Sequence, residues 1–254
     1  GKPKRKRRFR WITLLLPVWL VFMVAVPWVA WTKITRVAAT SAGERPGDQP
    51  GQTFLLVGSD KRPSDKSRGR TDTILLLHFG AGPAVLTSIP RDSLVPVPGA
   101  GTTKINAAYA FGGPPLLVET LENTTGLRID GYVEIGFTGL VDVVGALGGV
   151  EVCPKEDLKD KDSKLDIKKG CQSVDGKTAL AYSRNRKSFA NGDISRGANQ
   201  REVIGAIGSA ARSPWTIFNP LRYSNVSTSA AESLTVGDNV NPVQFARFAW
   251  ALSG

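Results

Sequence analysis

The sequence is poor in the side chains that most hydrolytic and metal chemistry uses. It has one histidine, His78, two cysteines and one methionine in 254 residues. A Ser-His-Asp triad would need His78, which lies in a β-type run, and no GxSxG elbow accompanies it, so His78 reads as a structural residue. Two sulfurs and a single distant imidazole do not fill the four positions of a zinc site. The stretch Gly170 to Thr178 looks like a phosphate-binding P-loop at a glance. Its glycines are separated by five residues where that motif has four, and no buried strand precedes it. With 41 % hydrophobic residues, 27 Gly and 16 Pro, the composition excludes a disordered tail, a collagen-like rod and a small disulfide scaffold. Acids are missing from the first forty residues, which hold nine of the 33 Lys and Arg and none of the 22 Asp and Glu. The net charge of +11 therefore belongs to that end, and the remainder carries only +2. That remainder has no nucleic-acid footprint.

What the first forty residues do contain is a cationic run, Lys2 to Arg10, followed by 21 uncharged residues from Trp11 to Trp31. As a helix this run spans about 31 Å, the thickness of a bilayer's hydrocarbon. Trp11, Trp28 and Trp31 stand near its ends, where amphipathic rings favour the interface. Pro17 and Pro27 weaken such a helix without forbidding it in a membrane. The reading is a cytoplasmic tail over 1–10, a signal anchor over 11–32, a linker over 33–52 and an extracellular remainder. A cleavable signal peptide competes: its apolar region is ordinarily shorter, about 7–15 residues, but 38–42 offers a cleavage site. An outer, oxidising compartment makes a disulfide between Cys153 and Cys171 the expectation, closing a Lys- and Asp-rich excursion.

Strand-like runs fall at 53–57, 73–79, 84–89, 129–135 and 150–152. Helical patterns fall at 104–111, 114–121, 138–147, 176–181 with Asp175 as N-cap, 194–212 and 243–252. The interleaving predicts an α/β fold whose central sheet is covered by helices. A polar loop, 59–71, joins the first two strands.

Candidate chemistry gathers at element ends. Asp60 follows a strand, Arg70-Thr71-Asp72 precedes the next, and Pro90-Arg91-Asp92 follows the third. Arg184 and Arg186 share a side if that stretch is extended. Asp193, Arg196 and Gln200 form one helical stripe that runs on into Val203, Ile204 and Ile207. Each alone reads as a surface salt bridge. Together they read as a polyanion clamp, because arginine donates in a planar fork suited to phosphate and paired carboxylates suit Mg²⁺. The apolar parts of 104–121 and 199–212 line either an apolar channel or an ordinary core.

The runs FLLVGSDKR (54–62), GRTDTILLL (69–77), LTSIPRDSLV (86–95), TKINAAYAFGG (103–113), VDVVGALGGVEV (141–152), ALAYSRNRK (179–187) and GDISRGANQRE (192–202) resemble, in order, the LytR-CpsA-Psr family, also called the cell-envelope-related transcriptional attenuator domain. The resemblance covers 53–212, with 213–254 as an extension completing the outer domain. It implies a phosphotransferase that moves a glycopolymer from a polyprenyl-diphosphate carrier onto peptidoglycan, releasing polyprenyl phosphate. By the same resemblance Asp60 and Asp72 hold Mg²⁺, with Mn²⁺ as the alternative metal. Arg70, Arg91, Arg184, Arg186, Arg196 and Gln200 clamp the diphosphate, and Asp193 orients those arginines or moves a proton; Arg91 and Asp193 are the catalytic candidates. Asn199 stands where the family often has another Arg. Competing readings are a lipid-diphosphate pyrophosphohydrolase, a non-enzymatic envelope regulator and a structural wall protein.

Overall fold

The computed structural model describes residues 5–41, 43–60, 71–160, 163–185 and 192–252, with backbone alone for 5–15 and 192–195. In chain order the elements are α1 (Arg5–Lys33), β1 (Thr35–Val37), β2 (Gln52–Ser59), β3 (Thr71–Phe79), β4 (Val85–Ser88), β5 (Leu94–Val97), β6 (Gly101–Lys104) and α2 (Ile105–Thr125). There follow β7 (Gly131–Gly136), α3 (Phe137–Ala146), β8 (Val150–Val152), β9 (Leu158–Asp160), β10 (Leu165–Ile167), β11 (Gln172–Val174) and α4 (Gly176–Arg184). The chain ends with α5 (Gly192–Arg212), α6 (Pro214–Phe218), α7 (Pro220–Ser233), β12 (Leu234–Gly237) and α8 (Pro242–Ala251).

Six strands form the main sheet in the order β1-β12-β7-β2-β3-β4. β2 pairs parallel with β7 and antiparallel with β3, so the central strands are covered on both faces and read as apolar runs. Alternation sorts their side chains. Leu55, Val57, Ile74 and Leu76 pack on Leu117, Val118 and Leu121 of α2. Phe54, Leu56, Leu75 and Leu77 pack with Phe248 of α8 and with Ile34 at the end of α1. A third cluster joins α3, α4 and α5 through Leu140, Val143, Ala179 and Val203. This is the expected α/β sheet covered by helices.

Several local expectations change. The patterns at 104–111 and 114–121 stand as two helical stretches within α2, divided where Gly113 takes a non-helical φ of 67° ahead of Pro114 and Pro115, and the second runs on to Thr125. Residues 35–37, inside the aperiodic 33–52 stretch, form edge strand β1 against β12; three residues are too few for alternation to register. The excursion between the cysteines is not simply polar. β9 and β10 pair, and Leu158, Leu165 and Ile167 are buried with the α3–α5 cluster, while Lys159 and Asp166 between them face solvent. Cys153 and Cys171 form the expected disulfide. His78 lies on β3, its Nδ1 2.9 Å from the Thr53 hydroxyl, consistent with a structural role.

Among the described residues, α1 is the one helix long and apolar enough to cross a membrane, over Leu16–Lys33, and only 6 % of that stretch is buried.

Candidate functional site

The site is built at the strand ends where β2, β3, β4 and β7 finish or begin beside α4 and α5. The β2–β3 ladder slips there: Gly58 pairs with Thr73 and Ser59 with Thr71, so Asp72 is the extra, bulged residue. A bulge re-aims a side chain. The Asp72 carboxylate accepts from Arg91 Nη1 in a close ion pair, the two side chains being 29 % and 21 % exposed. Arg91 sits in the turn after β4. That turn is bolted down by Ser93 N–H donating to the Pro90 carbonyl (3.0 Å) and Asn106 N–H to the Arg91 carbonyl (3.2 Å). Arg91 Nε also lies 3.4 Å from Asp92 Oδ2, and Lys104 Nζ 2.7 Å from Asp92 Oδ1. Partial burial pulls the Arg91 pKa down, but Asp72 and Asp92 outweigh it and the net shift is upward. The hydrogen bond from Lys104, helped by Arg91, holds Asp92 below the usual carboxylate range.

A narrow, mostly apolar cleft of about 40 Å³ lies between the sheet and α3–α5 and reaches this strand end at Thr73. Leu56, Gly58 and Ile135 line it from the sheet, Leu180 from α4, and Gln200 and Val203 from α5. Thr73, next to Asp72, and Phe137 line it as well. The Arg184 guanidinium lies 4.9 Å from the Phe137 ring centroid, which places a cation at the cleft's edge. Gly197 lets α5 approach β4, since a Cβ there would stand 2.8 Å from Ser88 Oγ. Arg196 and Gln200 are both buried, at 5 % and 6 % exposure, one turn apart on the same helix.

Of the residues singled out in the sequence, Asp72 and Arg91 are in contact. Gln200 shares the cleft with Thr73, Arg184 stands over a cleft residue, Arg196 is buried just N-terminal to Gln200, and Asp60 directly follows Ser59. Arg70, Arg186 and the side chain of Asp193 lie outside the described residues. The apolar parts of the two helices are placed differently, and Val203 serves in both the core and the cleft. Residues 199–212 do line the cleft, through Gln200, Val203 and Ile204, whereas 104–121 does not: α2 packs on the opposite face of the sheet. Asn199 is buried and donates to the Tyr182 carbonyl at 3.2 Å, tying α5 to α4.

Sequence reasoning missed a buried acid beneath the site. Glu134 Oε1 accepts from the hydroxyls of Ser59 (2.6 Å) and Tyr109 (2.8 Å), and Oε2 from Tyr132 (2.7 Å). Burial, reinforced by Glu134, pushes both tyrosine pKa values up. The network fixes the end of β2 one residue before Asp60. Its signal was legible: an acid in the otherwise apolar strand GYVEIG. Asp60 and Asp72, at adjoining strand ends, carry hard carboxylate oxygens of the kind a divalent cation would take. Among the described residues, the one cluster with metal-like spacing is Glu151, Cys153 and Cys171, whose sulfurs are spent in the disulfide.

Comparison with known proteins agrees with this architecture. The chain is 44 % identical over 254 residues to the "Probable cell wall biosynthesis protein LcpB" of Corynebacterium glutamicum, covering 94 % of this chain and 61 % of that protein. It is 38 % identical over 166 residues to the polyisoprenyl-teichoic acid–peptidoglycan teichoic acid transferase TagT of Bacillus subtilis, covering 61 % of this chain and 51 % of that one. The chain thus spans between half and two thirds of the length of these relatives. The solved structure of TagT bound to LI-WTA superposes with a TM-score of 0.65 at 28 % identity, covering 86 % of this chain and 83 % of that one. The structure of YwtF (TagT) with bound octaprenyl pyrophosphate lipid gives 0.61 at 27 %, covering 86 % and 82 %. The LytR_cpsA_psr family profile matches residues 32–242, taking in β1 and β12 on either side of the 53–212 resemblance, and the chain belongs to the LytR_cpsA_psr family.

Proposed function

We propose that this chain is a membrane-anchored phosphotransferase that moves a glycopolymer from a polyprenyl-diphosphate carrier onto peptidoglycan. The observation that carries the reading is the Asp72–Arg91 pair on a strand end whose next residue, Thr73, lines an apolar cleft. That combination suits a ligand with a doubly charged head and a hydrocarbon tail. The family relationship supports it, as do the relatives named as teichoic acid transferases and the neighbour holding octaprenyl pyrophosphate. The cleft of about 40 Å³ has room for little more than one water-sized group. Lipid entry therefore requires α4 and α5 to part from the sheet.

In the proposed reaction a peptidoglycan hydroxyl attacks the phosphorus that carries the glycan. The new O–P bond forms as the bond to the bridging oxygen breaks, and polyprenyl monophosphate leaves with the bond's electron pair. Arg91 stabilises charge on the transferring phosphoryl oxygens. Arg70, Arg184, Arg186, Arg196 and Gln200 complete the clamp, and Asp193 orients it or takes the hydroxyl proton. Asp60 and Asp72 would hold Mg²⁺ or Mn²⁺, with Asp72 using Oδ2 because Oδ1 faces Arg91. The ion, when bound, supplies neutralisation of phosphate charge. The anchor places the basic N-terminal run on the cytoplasmic side and the folded domain outside.

The test supplies the full chain in vesicles with a short glycan on a prenyl diphosphate, Mg²⁺ and peptidoglycan fragments, with products read by mass spectrometry. The wild type yields conjugate and prenyl monophosphate. Arg91→Ala and Asp72→Ala each lower transfer by about 100-fold or more, the scale of removing one transition-state donor. Undiminished transfer in both variants overturns the site, and free glycan phosphate without conjugate replaces transfer by hydrolysis.

A further inference from the structure

The helices that follow α5 make a surface that neither the cleft nor the strand-end cluster uses. α7 runs beside α1. The Tyr223 hydroxyl donates to the Met23 carbonyl at 2.9 Å, and the Phe22 and Tyr223 ring centroids are 6.1 Å apart. Farther along, Ala231 is buried in the cluster against which Ala30 and Trp31 also pack. Tyr223 to Ala231 and Met23 to Trp31 are equal steps of eight residues. The two helices therefore advance together, over about 12 Å.

Depth follows from α1. Its uncharged run is only just long enough to cross the hydrocarbon, about 30 Å, so the outer boundary must fall near its end, between Trp28 and Lys33. A cation–aromatic pair marks that level: the Arg36 guanidinium is 4.0 Å from the Trp31 ring centroid. Met23, and with it Tyr223, lies about 15 Å of helix inward of Lys33. The α6–α7 corner is thus at the depth of acyl chains.

Its chemistry matches that depth. Trp215, Phe218 and Leu221 are 69, 70 and 76 % exposed. Of the exposed polar side chains on α7, Asn225 stands one turn beyond Leu221, and Glu232 stands at the domain end of the helix. The one cation at the tip, Arg222, turns inward and donates to the Leu147 carbonyl. Both short helices carry their own N-caps: Ser213 accepts from Thr216 N–H at 3.2 Å and Asn219 from Arg222 N–H at 3.1 Å. Thr216 and Ser227 hydroxyls donate to the Ala210 and Tyr223 carbonyls. Polar groups satisfied internally are what a segment in hydrocarbon requires.

We propose that the α6–α7 corner inserts into the outer leaflet beside α1, as a second, monotopic membrane contact whose partner is lipid acyl chain. It holds the folded domain in one orientation at the bilayer surface, with Trp215, Phe218 and Leu221 as the embedded tip. The inference rests on α1 crossing the membrane and not on the reaction the domain catalyses.

The experiment places a nitroxide on Phe218→Cys and on Leu221→Cys, separately, in the full chain reconstituted in phosphatidylcholine vesicles with a minority of phosphatidylglycerol. The native cysteines, being disulfide-bonded, do not take the label. Collision with dissolved oxygen and with a water-soluble nickel chelate then reads depth, with Val21→Cys as the membrane reference and Glu232→Cys as the shallow one. Both tip labels are expected to be oxygen-accessible and nickel-protected, matching Val21→Cys and opposite to Glu232→Cys. Nickel accessibility at both tip positions overturns the proposal. Protection from both reagents also overturns it, because that signature belongs to a protein partner covering the tip.

Discussion

Arg91 shows how a single side chain can be both structural and available. Its guanidinium holds Asp72 and Asp92 at once, and Lys104 keeps Asp92 from being left with an uncompensated share of that contact. With its pKa raised, Arg91 is a fixed cation at any pH the cell meets. A fork of five donors can keep Asp72 and still present an edge to a phosphate, whereas an ammonium is a point charge that must choose. Arg91→Lys is therefore expected to fold normally by circular dichroism and to lose about 10–100-fold in transfer, equivalent to one charged hydrogen bond of about 1.5–3 kcal/mol. Steady-state kinetics that leave the lysine variant within about twofold of wild type would show that charge alone suffices there. Asp72, Arg91 and Gln200 stood out in the sequence by type and by position at element ends. The Asp72–Arg91 contact and the placing of Gln200 in the cleft did not, because they depend on a one-residue slip between β2 and β3 and on Gly197 admitting α5 to Ser88. Neither feature has a periodic signature.

At the scale of the element, α4 is the short helix that carries Arg184 at its end, and its start is fixed by Asp175, which accepts from Thr178 N–H at 2.8 Å. The hydrogen bonds from Thr178 hold the Asp175 carboxyl below its ordinary value. Its folded pKa is depressed, so the native chain binds fewer protons than the unfolded one. The cap's stability is fully present above the unfolded carboxyl value of about 3.9 and is lost as pH falls through the lower folded value. Asp175→Ala should cost about 0.5–2 kcal/mol at neutral pH. Asp175→Asn, an equally good cap without a titrating proton, should be near wild type at neutral pH and should flatten the acid-side dependence of Tm. Melting curves of the full chain in detergent across the acid range check both; an Asn variant with the wild-type acid slope contradicts the assignment. This cap was legible, because Asp before a helical pattern is a local rule. The β1 and β12 strands were not, since strands of three and four residues gain their identity from the neighbours they pair with.

On the scale of the whole molecule, composition and one long apolar run were enough to expect an anchor, an α/β domain and a disulfide. What they left hidden is how the parts share cores. The segment closed by Cys153 and Cys171 looked like an excursion because its Lys and Asp residues dominate the composition. Yet Leu158, Leu165 and Ile167 are buried in the cluster that also holds Leu140 and Val203, and those two residues line the cleft. The disulfide spans a sequence separation of 18, for which loop-closure entropy gives roughly 3 kcal/mol. If the lobe were independent, reduction would loosen it and nothing else. Because it shares a core with α3 and α5, reduction should also raise amide exchange in the first turns of α5 and weaken retention of a prenyl diphosphate. Hydrogen exchange read by mass spectrometry on the full chain, with and without a phosphine reductant, separates the two cases. Faster exchange confined to 154–170, with α5 unchanged, would mean that the buried leucines of the lobe do not support the cleft.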